Sequence, residues 1–237
     1  MTYKNQMVKD IVLEVPGSDE LFKQNRIDFC CGGNRPLEEA VKEKGLNQAE
    51  IDAELDRIAE QTQVRKDFVD FQWQDLRSEK LIDHIVYHHH AFLQKDLPEL
   101  EFYVTKIARV HGGDQPFLIE LHNRFMNLKE ELTDHLKKEE EILFPAIIEF
   151  EEKRSDEALT KAAARLDELE SEHSGAGELL HSMRALTSDY SAPETACTTF
   201  RMTFNRLEQL ESDLFQHIHL ENNILFARVA AAAAQKA

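Results

Sequence analysis

The sequence predicts an all-α protein, and its composition and patterning support that class. Gly (8 residues) and Pro (6 residues) are scarce in a chain of 237 residues, at about half their usual share, whereas sandwiches and barrels need many turns. Charged residues reach 31% and aromatic residues only 8%. No useful stretch alternates apolar and polar residues as a half-buried strand does. We therefore expect long helices.

Residues 1–70 predict a small helical domain with short, closely spaced helices. Ser18 is expected to cap one helix, and Pro36 stands where the first residue of another is expected. Gly45 is expected to end that helix, since glycine tolerates the left-handed conformation common there. The helical spacing of apolar residues becomes irregular over residues 64–76, which we interpret as the connection to the next domain.

Residues 77–237 predict an up-and-down four-helix bundle, because short connections between long helices favour antiparallel neighbours. The first helix is expected to reach His111, with a break at Pro98. The other three are expected over residues 116–150, over residues 155–190 and from residue 193 to the Ala-rich tail.

The net charge of −17 excludes several kinds of partner. A surface that acidic repels nucleic-acid phosphates and anionic lipids. The longest apolar run, residues 229–234, is far shorter than the ~20 residues that span a bilayer, and residues 1–16 lack the apolar stretch of a signal peptide. Three cysteines, two of them adjacent, form no disulfide framework. We therefore expect a cytoplasmic protein.

His135 and Glu139 stand inside the apolar stripe of the second predicted helix. A buried carboxylate costs several kcal/mol unless something compensates it. Residues four apart lie on the same helix face, so this imidazole and this carboxylate can meet at a single point. The stripe steps by three and four residues and comprises Leu121, Phe125, Leu128, Leu132, His135, Glu139, Ile142 and Ala146.

The fourth predicted helix repeats this arrangement with His217 and Glu221, again four residues apart in an apolar stripe. In the third helix, His173 shares a face with leucines and a methionine. Three helices thus direct histidine or glutamate at one interior, as bundle cores that hold two metal ions do. Nitrogen and oxygen donors without nearby thiolates suit iron, manganese or zinc, and this many donors favour iron over tetrahedral zinc.

The first predicted helix is ambiguous, because periodicity does not choose between His84 and the run of residues 88–90. His111 lies 21 residues beyond His90, about 31 Å along an unbroken helix. Both can reach one site only if the chain bends at Pro98. The alternative to a metal site is a metal-free bundle in which the inward histidines are hydrogen-bonded core residues.

Cys30 and Cys31 are neighbours, and a trans peptide holds their Cα atoms near ~3.8 Å, below the usual disulfide range of about 4.4–6.8 Å. We interpret them as accessible thiols for redox exchange or for docking a metal or cluster. Gly32 and Gly33 allow positive φ and close approach of a ligand. The alternative is two small buried residues at a tight turn. Cys197 is interpreted as inert packing.

Several longer motifs are specific enough to indicate a family. The N-terminal part contains Asp-Phe-Cys-Cys-Gly-Gly at 28–33 before a Leu-Glu-Glu-Ala helix. The remainder contains Leu-Pro-Glu-Leu at 97–100, Arg-Val-His at 109–111, His-Leu-Lys-Lys-Glu-Glu-Glu-Ile-Leu-Phe-Pro at 135–145 and His-Ile-His-Leu-Glu-Asn-Asn-Ile-Leu-Phe at 217–226. Over essentially the whole chain, these motifs resemble the iron–sulfur cluster repair di-iron proteins, which join an N-terminal Cys-Cys domain to a hemerythrin-like bundle.

The resemblance implies a cytoplasmic stress protein, with Cys30 and Cys31 as its reactive thiols, that restores iron–sulfur clusters damaged by oxidants or nitric oxide, by supplying iron. It implies damaged iron–sulfur proteins as partners, a homodimer, and two iron ions in a non-haem centre. Alternatives are an oxygen or nitric oxide carrier or sensor, and a nitric oxide reductase. By position, the resemblance assigns the metal ligands as His90, His111, His135, Glu139, His173, His217 and Glu221.

Overall fold

Helices make up most of the computed structural model, which describes residues 3–65 and 73–236. Within these two ranges there is no β-strand, only an isolated bridge between Met7 and Pro36. The all-α prediction is therefore confirmed. The connection predicted at residues 64–76 falls largely on residues 66–72, outside the described residues.

The chain forms two compact units. One comprises Met1–Arg77 with Phe215–Arg228, and the other comprises Ser78–Leu214 with Val229–Ala237. Among the described residues, no helix combines the length and the apolar character that crossing a membrane requires.

The first unit is built from short helices around a small apolar core. Phe22, Phe29 and Leu55 are completely buried in it. Gly17, and not Ser18 as predicted, is the N-cap of the second helix, with φ +94°, and Gly45 follows the third with φ +67°; both are left-handed conformations that favour glycine. The helices are α1 (Val8–Glu14), α2 (Ser18–Gln24), α3 (Leu37–Glu43) and α4 (Gln48–Arg65), with α2 and α3 packing on α4.

The second unit contains most of the long helices predicted for the bundle. α6 packs against α7, α7 against α9, and α8 against both α9 and α5. The Ser155 hydroxyl caps α9 by accepting a hydrogen bond from the amide of Ala158 at 3.2 Å, as N-cap residues do. From Ser78 onward the helices are α5 (Ser78–His84), α6 (Ala91–His111), α7 (Phe117–Lys138), α8 (Phe144–Lys153), α9 (Asp156–Leu186), α10 (Thr198–Leu220) and α11 (Ala227–Ala234).

Pro98 does not break the first long helix, contrary to the prediction. α6 runs without interruption from Ala91 to His111 with Pro98 inside it. A proline removes one backbone hydrogen bond, but the apolar face continues at three- and four-residue steps on both sides of it. Burial of that face outweighs the local cost. The buried residues are Leu93, Leu97, Leu100, Val104 and Ile107.

Within the described residues, three π-helical turns interrupt the α-helical hydrogen bonding while the chain stays helical. They are Ile85–His90 between α5 and α6, Glu139–Leu143 between α7 and α8, and Glu221–Phe226 between α10 and α11. Such turns bond i to i+5, are rare, and occur frequently at functional sites. Each of them contains or begins with a residue that the sequence predicts as a metal ligand.

Candidate metal centre

Six buried side chains form two overlapping groups of potential metal ligands. In each group, the donor atoms all lie within 4.8 Å of one another. None of the six residues is more than 3% exposed. Both carboxylates belong to both groups. One group is His90, Glu139, His217 and Glu221, and the other is His135, Glu139, His173 and Glu221.

Glu139 directs its two carboxylate oxygens at different imidazoles. Its Oε2 lies 3.4 Å from Nε2 of His90, and its Oε1 lies 3.3 Å from Nε2 of His135 and 3.9 Å from Nε2 of His173. The two imidazole Nε2 atoms of His135 and His173 are 2.8 Å apart. A carboxylate that faces separate nitrogen donors with separate oxygens has the orientation of a bridging ligand.

His217 and Glu221 repeat on the last helix what His135 and Glu139 do on α7. Nε2 of His217 lies 3.0 Å from Oε1 of Glu221. In both pairs the histidine lies in the last turn of an α-helix and the glutamate opens a π-helical turn. The α-helical spacing of four residues brings histidine and glutamate to one side.

Glu140 and Glu172 hold two of the imidazoles from outside the groups. Oε1 of Glu140 accepts a hydrogen bond from Nδ1 of His90 at 2.8 Å, and Oε2 of Glu172 accepts one from Nδ1 of His135 at 2.8 Å. Each bond leaves Nε2 as the donor atom for a metal. A carboxylate on the second nitrogen is the usual support of a metal-binding histidine. Sequence reasoning missed both glutamates, because neither stands in an apolar stripe.

A cation keeps Glu172 ionised. Partial burial favours the neutral carboxyl group, but hydrogen bonds from Lys138 and His135 outweigh that effect and lower the pKa of Glu172. Lys138 also contacts Glu168 at 2.8 Å. The support of His135 therefore reaches the protein surface through an ion-pair network.

His111, the seventh predicted ligand, does not lie in either group. Its Nε2 lies 3.5 Å from Sγ of Cys197, and its ring meets that of Phe200 with centroids 5.8 Å apart. The physical reason is the continuity of α6, because a helix that passes through Pro98 without breaking places His111 about 31 Å along its axis from His90. The structure brings together six of the seven predicted ligands.

The donor set fits iron. It contains four imidazole nitrogens and two shared carboxylates, which suit iron or manganese, and it includes no thiolate. Buried carboxylates need compensating positive charge, and a metal ion at these groups would supply it. Bundle cores are places where facing helices hold metal ions with histidine and glutamate side chains.

The cysteine pair is less accessible than predicted. Cys30 is buried, Cys31 is half-buried and neither forms a disulfide. Their sulfur atoms are 3.7 Å apart, and the thiol of Cys30 also donates to Oδ1 of Asp28 at 3.2 Å. Burial, together with Cys31 and Asp28, raises the pKa of Cys30 well above its ordinary value. Cys31 is thus the more exposed thiol of the two.

The two glycines after the cysteines are explained by contacts within the chain and not by a ligand. Neither adopts positive φ. A Cβ atom at Gly33 would lie only 2.4 Å from the carbonyl oxygen of Phe29, so the close approach that requires glycine is made by the chain's own backbone. The expectation that this loop opens the backbone to a ligand is therefore wrong for Gly33.

The cysteine loop packs against the segment that contains two of the candidate ligands, within the first unit. The ring of Phe29 lies 6.2 Å from that of Phe215 and 5.5 Å from that of His219. His219 also donates a hydrogen bond to the backbone of Phe29. Burial lowers the pKa of His219 to about 4, so its ring is neutral. The loop and the His217–Glu221 turn are thus held in one packed unit.

A helical bundle with buried histidines and shared glutamates defines a cation-binding protein of the hemerythrin class. Residues 81–229 match the family model of the hemerythrin HHE cation binding domain, and residues 4–59 match that of a domain of unknown function, DUF542.

Similarity to curated proteins extends over nearly the whole chain. The iron-sulfur cluster repair protein YtfE of Enterobacter sp. (strain 638) is 36% identical over 231 residues, which cover 98% of this chain and 99% of the relative. The proteins of the same name from Escherichia coli O157:H7 and Shigella boydii serotype 4 are 37% identical over 232 residues, with the same coverage. The chain belongs to the family of these iron-sulfur cluster repair proteins, which confirms the predicted resemblance.

Proposed function

We propose that this chain is a di-iron protein that repairs damaged iron–sulfur clusters by donating iron. The observation that carries the proposal is that Glu139 and Glu221 each belong to both ligand groups. Two shared carboxylates with two imidazoles on either side suit a pair of ions rather than one. The relatives named as iron-sulfur cluster repair proteins support the choice of iron as the donated ion and of damaged iron–sulfur clusters as its destination.

In this proposal, His90 and His217 hold one iron ion, and His135 and His173 hold the other. Glu139 and Glu221 bridge the two ions. His111 is not part of the proposed set. Iron held by these ligands supplies reversible one-electron oxidation, which changes how strongly carboxylates bind it.

The number of protein ligands suits a protein that releases the iron it binds. Each group offers four donors, whereas iron with oxygen and nitrogen ligands commonly takes six. A site that leaves positions to exchangeable ligands gives up a metal more readily than a saturated one. The histidines remain oriented during the exchange, because Glu140 and Glu172 hold their outer nitrogens.

We propose that Cys30 and Cys31 dock the recipient or take up iron in transit. Cys31 is the more exposed thiol, and burial keeps Cys30 protonated. Their loop packs against Phe215 and His219, so a recipient that contacts the thiols contacts the unit that holds His217. Free thiols of this kind fit the reducing cytoplasm.

The test is an iron transfer measurement. The iron-loaded protein is incubated with a dehydratase whose iron–sulfur cluster has been damaged, and dehydratase activity and iron content of both proteins are followed. We expect activity to recover while the donor loses a matching amount of iron. Glu139→Gln should abolish both, because the shared carboxylate is lost. Glu141→Gln is the matched control, since Glu141 is exposed and two residues away.

Recovery that is equally fast with metal-free protein would contradict iron donation. Reversible spectral changes with oxygen or nitric oxide and no net iron transfer would favour a carrier or sensor instead. Formation of nitrous oxide with turnover would favour a nitric oxide reductase.

A further inference from the structure

A second set of imidazoles lies on the helical segment that precedes His90, outside the candidate centre. The rings of His84 and His88 have their centroids 4.4 Å apart and are tilted by 38°. The ring of His89 meets that of His84 edge-on at 5.6 Å. His88 is exposed and His84 is half-buried. Neither the family comparisons nor the proposed function assigns a role to this set.

The π-helical turn Ile85–His90 explains why these rings converge. A turn that bonds i to i+5 is wider than an α-helical turn, so the fourth and the fifth residue after His84 both fall beside its ring. His89 is fixed in place by Asp213, whose Oδ1 lies 2.9 Å from Nδ1 of His89. The buried ring of His89, paired with the half-buried Asp213, thus lies beside the ring of His84.

We propose that His84 and His88 form a surface site for a borderline divalent cation such as Zn²⁺, separate from the candidate centre. Two histidines at i and i+4 on one helix direct two imidazole nitrogens at one ion, the spacing that zinc-binding helices use. An open groove leads to the pair, and water fills the remaining positions on the ion. The groove has a volume of ≈ 540 Å³ and is lined by Asp83, His84, Val86, Tyr87 and His88.

Asp83 lines the edge of this groove. It is exposed and its Oδ2 lies 2.9 Å from the ammonium group of Lys80. The two imidazoles are therefore the donors that we assign to the site. Imidazole donors rank divalent cations in the order Cu²⁺, Zn²⁺ or Ni²⁺, then Co²⁺, and we expect the same order here.

The experiment is a calorimetric titration of Zn²⁺ into the iron-loaded protein, followed by iron analysis to verify that the iron was retained. We expect a single Zn²⁺ ion to bind per chain. His84→Ala and His88→Ala should each weaken binding by more than about tenfold, since loss of a ligand costs more than loss of its outer partner. The double variant should abolish the site, because neither imidazole donor remains for the ion.

His181→Ala is the matched control, because His181 is an exposed histidine on α9; we expect it to leave the zinc affinity unchanged. Helix content by circular dichroism verifies that each variant is folded. The proposal is overturned if the parent protein binds no zinc, if the control weakens binding as much as the two variants, or if the double variant still binds zinc with the parent's affinity. The readout is zinc binding, so it stands apart from the outcome of the iron transfer test.

Discussion

Two buried acidic clusters in this protein have different neighbours. Glu139 and Glu221 lie among imidazoles. Glu211 is equally buried but pairs with Arg184, whose Nε donates to its Oε1 at 2.6 Å, and it accepts a second hydrogen bond from the hydroxyl of Tyr190 at 3.2 Å. The first cluster thus combines its carboxylates with the imidazole nitrogens that metal ions bind, whereas the second pairs its carboxylate with a guanidinium of the chain.

The comparison teaches how to separate a structural carboxylate from a metal ligand. A buried glutamate with a guanidinium of its own is satisfied within the fold, although burial still raises the pKa of Glu211. A buried glutamate that shares its surroundings with several imidazoles is placed as a metal ligand is. Substitutions that remove one carboxylate from each cluster should therefore have opposite consequences.

The largest expected effect is loss of the metal. Replacing Glu139→Leu should reduce bound iron to background, because one shared ligand is gone from both groups. In the metal-free state the variant should unfold at or above the temperature of the metal-free parent, since replacing buried charge by an apolar side chain is often neutral or stabilising. Elemental analysis and thermal unfolding measure the two effects. Retained iron stoichiometry would refute the assignment.

The opposite result is expected for Glu211→Leu. This change leaves the guanidinium of Arg184 buried without its main partner, which should cost about 3 kcal/mol in the free energy of unfolding. Iron content should stay at the parent level. Denaturant unfolding checks the first point, and combining the change with Arg184→Met should recover most of the loss. If iron were lost as well, the two clusters would not be independent.

A smaller effect is expected from the outer support of the centre. Glu172→Gln should weaken iron binding by roughly 10- to 100-fold, because the hydrogen bond that orients His135 is weakened. Competition with a chelator measures the affinity. Glu168→Gln is the matched control, since Glu168 also pairs with Lys138 but is not the partner of His135. Equal effects of both changes would assign the loss to Lys138.

The smallest effect is a dependence of stability on pH. The pKa of Glu211 is raised in the folded state, first by burial, so the folded protein binds a proton there more tightly than the unfolded chain. The stabilisation from this proton is complete below the unfolded pKa and is lost as pH rises through the folded pKa. Metal-free parent should therefore gain stability relative to Glu211→Gln when the pH is lowered from 7.5 towards about 4.5. Denaturant unfolding at several pH values measures the difference, and parallel curves would contradict it.

The sequence reveals the inner ligands of the last three predicted helices well, since His135, Glu139, His173, His217 and Glu221 interrupt apolar stripes at helical spacing. His90 could not be chosen by periodicity, because the π-helical turn that contains it shifts the phase of the helix. His111 lies outside the two groups, because α6 continues through Pro98 without a break.

Other parts depend on contacts that no local pattern encodes. Glu140 and Glu172 look like ordinary solvated acids in the sequence, yet each holds an imidazole. The burial of Cys30 follows from packing of its loop and not from the Cys-Cys motif itself. The predicted homodimer and the domain boundaries at residues 70 and 77 stay predictions.

At each of the three π-helical turns, the side chains after the turn point in directions that differ from those of an uninterrupted α-helix. A turn that contains one residue more than an α-helical turn rotates everything after it by about 100°. Deleting one residue between Glu139 and Leu143 would let the backbone relax to a regular α-helix. Pro145 and the apolar side chains of α8 would then swing away from the faces they now cover, while His135 upstream kept its direction. One additional residue in the turn thus lets the side chains before it face the candidate metal centre while the side chains after it face the hydrophobic core.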